Sequence, residues 1–404
     1  MSPGKHRVSV ITVVALGIAA LGILAMMKRT DVDLRLRADF LPGNPRRGGE
    51  LFFDRGCARC HSISGFGGKE ASDLARLRRP FSDLDAIAGE MWNHAPKMWE
   101  KMASKGYSTE RLTPADFADV MAFLFAAGYL EEGGNSGRGQ TVLMEKRCVD
   151  CHSTDGSGRG MGPDLARWSS SVNPILWTAL FWNHAPAMEE KMKGAGISWP
   201  ELSPADVADL LSFLRNKGTE PRREAPLPGD PEAGRRLFRH HCEGCHRAEG
   251  HGGDVGPDLG ASRISGSLAG LAASLWNHAP EMGERMKELG VDRPSFSERD
   301  MADLITYLFA IRYFEPTGDA ESGARIYSRS CESCHGTKAE GVIGPSLQSL
   351  AASTRRTSAT YMASALWNHG QKMYEKMKDE GREWPLFRNE DVRDLLEYLR
   401  GLAS

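Results

Sequence analysis

Cys57-Ala-Arg-Cys60-His61 recurs along the chain as Cys148-Val-Asp-Cys151-His152, Cys242-Glu-Gly-Cys245-His246 and Cys331-Glu-Ser-Cys334-His335. Cys-x-x-Cys-His is the attachment signature of a c-type haem. Two thiols one helical turn apart add to the two vinyl groups of one porphyrin, and the adjacent imidazole then lies under the iron as proximal ligand. The four motifs use all eight cysteines, so none remains for a disulfide or for nucleophilic catalysis. A zinc site would need a second ligand pair about 12 to 20 residues away, but successive pairs begin 91, 94 and 89 residues apart. A redox dithiol does not call for His after the second Cys four times over. The expectation is four covalently bound haem c groups.

At 404 residues the chain exceeds one ordinary core, and the cysteine intervals divide it into four units of small-domain size. Each is short of apolar surface for a self-sufficient core, which a buried porphyrin would supply. The formal charge of −2 gives no case for nucleic acid. Residues 8–27 carry no charge and are flanked by Lys5, Arg7, Lys28 and Arg29, a run long enough to span a bilayer. The small-x-small site of a cleaved signal peptide is poorly matched there, which favours an uncleaved anchor. Haem c is attached outside the cytoplasmic membrane, so a single-pass anchor would leave the haem units on the periplasmic side.

More than the haem motif repeats, with a period of about ninety residues. An apolar pair precedes each first Cys: Phe52-Phe53, Leu143-Met144, Leu237-Phe238 and Ile326-Tyr327. Gly49, Gly139, Gly234 and Gly323 read as the start of a short helix. Downstream come Gly162-Pro163, Gly256-Pro257 and Gly344-Pro345, with Ser72 at the proline position of the first unit. Then follows a Trp-Asn-His segment with two methionines four residues apart: His94, Met98 and Met102; His184, Met188 and Met192; His278, Met282 and Met286; His369, Met373 and Met377. That spacing puts both methionines on one helix face.

Each unit closes on an amphipathic helix, begun by Thr113-Pro114-x-Asp116, Ser203-Pro204-x-Asp206 and Ser297-x-x-Asp300. In the fourth, Arg388 holds the cap position, so the start shifts to Asn389. No alternating strand pattern is present, and the fold class is all-α. Turn-rich linkers place the units at 44–132, 133–221, 228–316 and 317–404, after the anchor at 1–30. The proline-rich stretch 221–229 is the stiffest, grouping the chain as two pairs of haem units.

With these parts in this order, each unit resembles a class I cytochrome c domain, the resemblance covering residues 44–404. It implies four tandem helical domains, with crossing first and last helices and iron held between His and Met. It also implies that the carbonyl of Pro163, Pro257, Pro345 and, in the first unit, Ser72 orients the proximal imidazole. Each unit offers three candidates for the sixth ligand. The family's pattern of Gly four residues after the ligand favours Met102, Met192, Met286 and Met377, followed by Gly106, Gly196, Gly290 and Gly381. Met98, Met188, Met282 and Met373 come next, then the four histidines. The Trp-Asn-His trio is expected at the haem edge, bonded to propionates.

Irons with two protein ligands have no open site, which implies an electron carrier and not an enzyme. The expected partners are redox proteins, within a respiratory or photosynthetic complex or outside one. The rivals are a haem enzyme that has lost a distal ligand, such as a peroxidase or small-molecule reductase, and an obligate cytochrome subunit of a larger respiratory complex.

Overall fold

Asn44, Asn135, Asp230 and Asp319 each accept backbone N–H groups of the following turn, and each thereby starts a short helix. The computed structural model describes residues 41–75, 84–107, 111–130, 133–155, 161–165, 173–217, 227–260, 267–313, 317–348, 358–388 and 390–402. The anchor expected at 8–27 lies outside them. Among the described residues, no helix is long and apolar enough to cross a membrane.

The opening helices are α1 (Pro45–Asp54), α4 (Ser136–Glu145), α7 (Pro231–His241) and α10 (Ala320–Ser330). Long helices carrying Trp-Asn-His follow as α2 (Leu84–Ser104), α5 (Pro174–Gly194), α8 (Leu268–Glu288) and α12 (Ser358–Asp379). The closing helices are α3 (Pro114–Leu130), α6 (Pro204–Lys217), α9 (Glu298–Ala310) and α13 (Asp391–Leu402). A short α11 (Glu332–His335) carries the end of the fourth haem motif. Two small antiparallel hairpins, Ser62–Ile63 with Phe66–Gly67 and Arg247–Ala248 with His251–Gly252, are the β-strands among the described residues.

Within every unit the opening helix packs across the closing one, and one aspartate fixes the crossing. Asp119, Asp209, Asp303 and Asp394 accept the backbone N–H of Asn44, Asn135, Asp230 and Asp319 at 2.6, 2.6, 2.6 and 2.9 Å. At the same place a Cβ on Gly48, Gly139, Gly234 or Gly323 would stand 1.8–2.1 Å from those aspartates' carbonyl oxygens. Glycine there lets two backbones touch. In the first unit the crossing glycine is Gly48, whereas a Cβ on Gly49 would meet Leu227 instead.

Reciprocal capping boxes start α3, α6 and α9, Thr113 with Asp116, Ser203 with Asp206 and Ser297 with Asp300. In the fourth unit the helix begins at Asp391, whose carboxylate accepts the Arg388 N–H at 2.9 Å. Asn389, the expected start, lies outside the described residues.

Two pairs of units form, and they are nested rather than successive along the chain. The helix α2 packs on α12, joining the first unit to the fourth, and α5 packs on α8, joining the second to the third. Stretch 221–229, which was expected to set the pairing, lies mostly outside the described residues. A further contact links the first and third units, where Tyr129 stacks on Phe309 at 4.6 Å and Phe125 meets Tyr313 edge-on at 5.5 Å.

The Trp-Asn pair does the joining. Trp182 and Trp276 donate their indole N–H to Pro294 and Pro200 carbonyls across the second pair, both at 2.7 Å. Asn183 and Asn277 each exchange two hydrogen bonds with the backbone of Phe296 and Leu202. In the other pair Trp92 donates to Pro385, Asn93 pairs with Phe387 and Asn368 with Leu112. The propionate role is thus corrected for Trp92, Trp182, Trp276 and the four asparagines, whose polar groups are engaged by the partner unit.

Proline inside the long helices has a use in the same contact. Pro96, Pro186 and Pro280 lack the N–H that would bond the carbonyl four residues earlier, which belongs to Trp92, Trp182 and Trp276. Each of those carbonyls is taken by the partner unit: by Trp384 Nε1 at 3.2 Å, by an Arg293 guanidinium nitrogen at 3.3 Å and by Trp199 Nε1 at 3.1 Å. The same three side chains cover the tryptophan rings, with Trp384 stacked 4.0 Å from Trp92, Trp199 4.2 Å from Trp276, and the Arg293 guanidinium 4.0 Å over Trp182.

Candidate haem-attachment sites

Every Cys-x-x-Cys-His string is wound into one helical turn, the His N–H reaching the first Cys carbonyl at 3.1, 2.9, 2.8 and 2.9 Å in chain order. That turn brings both sulfurs and the imidazole of each motif to one place. The first cysteines are enclosed by apolar neighbours. Burial pushes the thiols of Cys57 and Cys148 up to about 11 and those of Cys242 and Cys331 to about 12. Such sulfurs stay neutral, which suits a thioether and disfavours a thiolate for zinc.

His61, His152, His246 and His335 are oriented alike. Their Nδ1 atoms lie 3.0, 2.9, 3.0 and 2.8 Å from the carbonyl oxygens of Ser72, Pro163, Pro257 and Pro345. A carbonyl only accepts, so Nδ1 carries the proton and Nε2 keeps the lone pair for a metal. Ser72 supplies this carbonyl as well as proline does. The ring is also held sideways: a Cβ on Gly162, Gly256 or Gly344 would come within 2.3–2.7 Å of the imidazole of His152, His246 or His335.

The opposite side belongs to the long helices. The ring centroids of His61 and His94 stand 6.3 Å apart, those of His152 and His184 6.2 Å, and those of His335 and His369 6.3 Å. Half-buried His184 and His369 are pushed below the usual imidazole range, by burial first and then by the facing His152 and His335. In the third unit His278 Nδ1 lies 2.8 Å from the Ser274 carbonyl. A cavity beside His369 of the fourth unit is lined by Pro345, Tyr361 and Lys372 together with Arg111 of the first unit.

Met102, Met192, Met286 and Met377, expected as sixth ligands, occupy the last turn of these helices. Their carbonyls accept the N–H of Tyr107, Ile197, Val291 and Arg382 at 2.8–2.9 Å, and Gly106, Gly196, Gly290 and Gly381 sit between at φ 64–70°. This is a Schellman stop, in which left-handed glycine ends the helix. The glycine spacing that pointed to these methionines is accounted for by that stop.

A neutral first sulfur in each motif and an imidazole fixed by a carbonyl fit a covalently attached haem, and define a c-type haem protein. The profile described as "Cytochrome c" matches residues 45–126, 136–217 and 320–403, and the chain belongs to that family. Residues 229–308 match the profile described as "Cytochrome C oxidase, cbb3-type, subunit III". A cbb3-type cytochrome c oxidase subunit FixP of Bradyrhizobium sp. (strain ORS 278) is 26% identical over 138 residues, 32% of this chain and 45% of the relative. A cytochrome c-553-like protein of Synechocystis sp. (strain ATCC 27184 / PCC 6803 / Kazusa) is 28% identical over 109 residues, 24% of this chain and 91% of that protein. The match thus spans less than half the length of the oxidase subunit. No solved structure matches.

Proposed function

We propose that this chain is a tetrahaem electron carrier, with one haem c on each Cys-x-x-Cys-His. It would relay electrons from a membrane or periplasmic donor to a periplasmic or external acceptor, from an anchor at residues 8–27. The observation that carries this reading is the proximal arrangement made four times over, in which backbone carbonyls fix His61, His152, His246 and His335. Bound haem c supplies a one-electron couple; the chain supplies the covalent link, the oriented imidazole and the apolar surroundings that set its potential.

The mass of the purified protein tests the number directly. Four haem additions to the polypeptide are expected, and three or fewer after full maturation would defeat the tetrahaem reading. Carbon monoxide separates carrier from enzyme: little binding to the reduced protein is expected, and stoichiometric binding at one haem would favour an enzyme.

The cbb3-type matches favour a second reading, a subunit built into a respiratory complex. Purification in mild detergent distinguishes them, because an obligate subunit emerges with its partners and an independent carrier emerges alone.

A further inference from the structure

We infer that His94, His184 and His369, from the Trp-Asn-His segments, are the sixth haem ligands of the first, second and fourth units, in place of methionine. The inference rests on the haem-carrying reading above. An imidazole nitrogen lies about 1.1 Å from its ring centroid and a metal–imidazole bond is about 2.0 Å long, so two rings on opposite sides of one metal stand about 6.2 Å apart. The three observed separations are 6.3, 6.2 and 6.3 Å. In each pair one partner is a proximal histidine whose Nδ1 is engaged by a carbonyl, which leaves Nε2 with its lone pair for a metal.

The methionines stand too far along to share that position. Met102, Met192 and Met377 are eight residues beyond their histidines, about 12 Å along the helix axis, and Met98, Met188 and Met373 are about 6 Å along. The helix stop at Gly106, Gly196 and Gly381 removes the pattern that favoured the second methionine. The third unit is different. The facing-ring separation is found in the other three units only, His278 instead turning Nδ1 onto the Ser274 backbone carbonyl at 2.8 Å, and there Met282 and Met286 remain the candidates.

Because methionine raises a haem's potential relative to a second histidine, three haems should titrate together at low potential and the third at a higher one. The decisive measurement is the sulfur-to-iron charge-transfer band of the fully oxidised holoprotein, scaled to haem number by mass spectrometry. Intensity for no more than one haem in four is expected; intensity for two or more overturns the inference. A protein carrying no covalent haem would instead defeat the haem-carrying reading itself.

A variant gives an independent readout. H184A should turn one haem from low to high spin, with low spin restored by added imidazole, while M192L leaves the spin state unchanged. Loss of low spin in M192L, or retention in H184A, overturns the assignment. The wild-type band decides the matter even where a variant fails to mature.

Discussion

Trp384 stacks on Trp92 at a centroid distance of 4.0 Å and donates its indole N–H to the Trp92 carbonyl at 3.2 Å, joining residues 292 positions apart. Proline at position 96 leaves that carbonyl without a helical donor. A residue that ordinarily disrupts a helix thus exposes an acceptor at which another unit docks.

Trp384→Phe keeps most of the stacking area and removes the donor. The Trp92 carbonyl then has no partner of either kind, which should cost about 1–3 kcal/mol. Thermal unfolding of the oxidised holoprotein measures it, and an unchanged midpoint would show that water replaces the indole.

Asn93→Ala should loosen the fourth unit although the residue lies in the first. It removes the 2.7 Å bond to the Phe387 carbonyl and the 2.8 Å bond from the Phe387 N–H. Hydrogen exchange should rise in residues 384–402, while the second and third units keep wild-type rates.

Replacing Cys57 and Cys60 together with Ala should lower the haem mass by one addition. From sequence alone the other units are expected to be indifferent; the packing of α2 on α12 predicts instead that the fourth unit is destabilised with the first. Limited proteolysis should therefore cut in 358–402 and spare the 173–217 region.

Gly323→Ala tests the helix crossing. The added methyl would lie 2.0 Å from the Asp394 carbonyl oxygen, so α10 and α13 must separate, an overpacking cost of about 1–3 kcal/mol. Gly401→Ala, which meets nothing within 4 Å, is the control and should leave the unfolding midpoint unaltered.

Asp116 predicts an acid limb. The Thr113 hydroxyl first, then the Thr113 N–H and the Arg47 guanidinium, hold its carboxyl below the usual range against the opposing effect of burial. Since the folded value is depressed, its contribution is present above the unfolded value of about 3.9 and is lost as pH falls through the folded one. Asp116→Asn should flatten stability against pH in that acidic window and lower it at neutrality.

Local features were legible in the sequence because their causes are local. The haem motifs, the carbonyl at Ser72 and the prolines, and the capping boxes at Thr113, Ser203 and Ser297 each involve residues within a dozen positions of one another. The unit pairing was not, because Trp92 and Asn93 find their partners at Pro385 and Phe387, and neither tryptophan nor asparagine advertises a distant carbonyl. Gly106 reads two ways for another reason. One glycine four residues past a methionine serves a ligand loop or a helix stop equally well, and only its φ of 70° with the Tyr107 bond to Met102 distinguishes the two.

The nesting of the pairs, second with third inside first with fourth, also sets a timetable. At about 5–20 residues per second of synthesis, the 293 residues between Trp92 and its acceptor Pro385 correspond to about 15–60 s. Through that interval the inner pair can close while the first unit displays an apolar, tryptophan-lined face with no mate. Whatever escorts the nascent chain must shield that face longest, and the last hundred residues to emerge are the ones that release it.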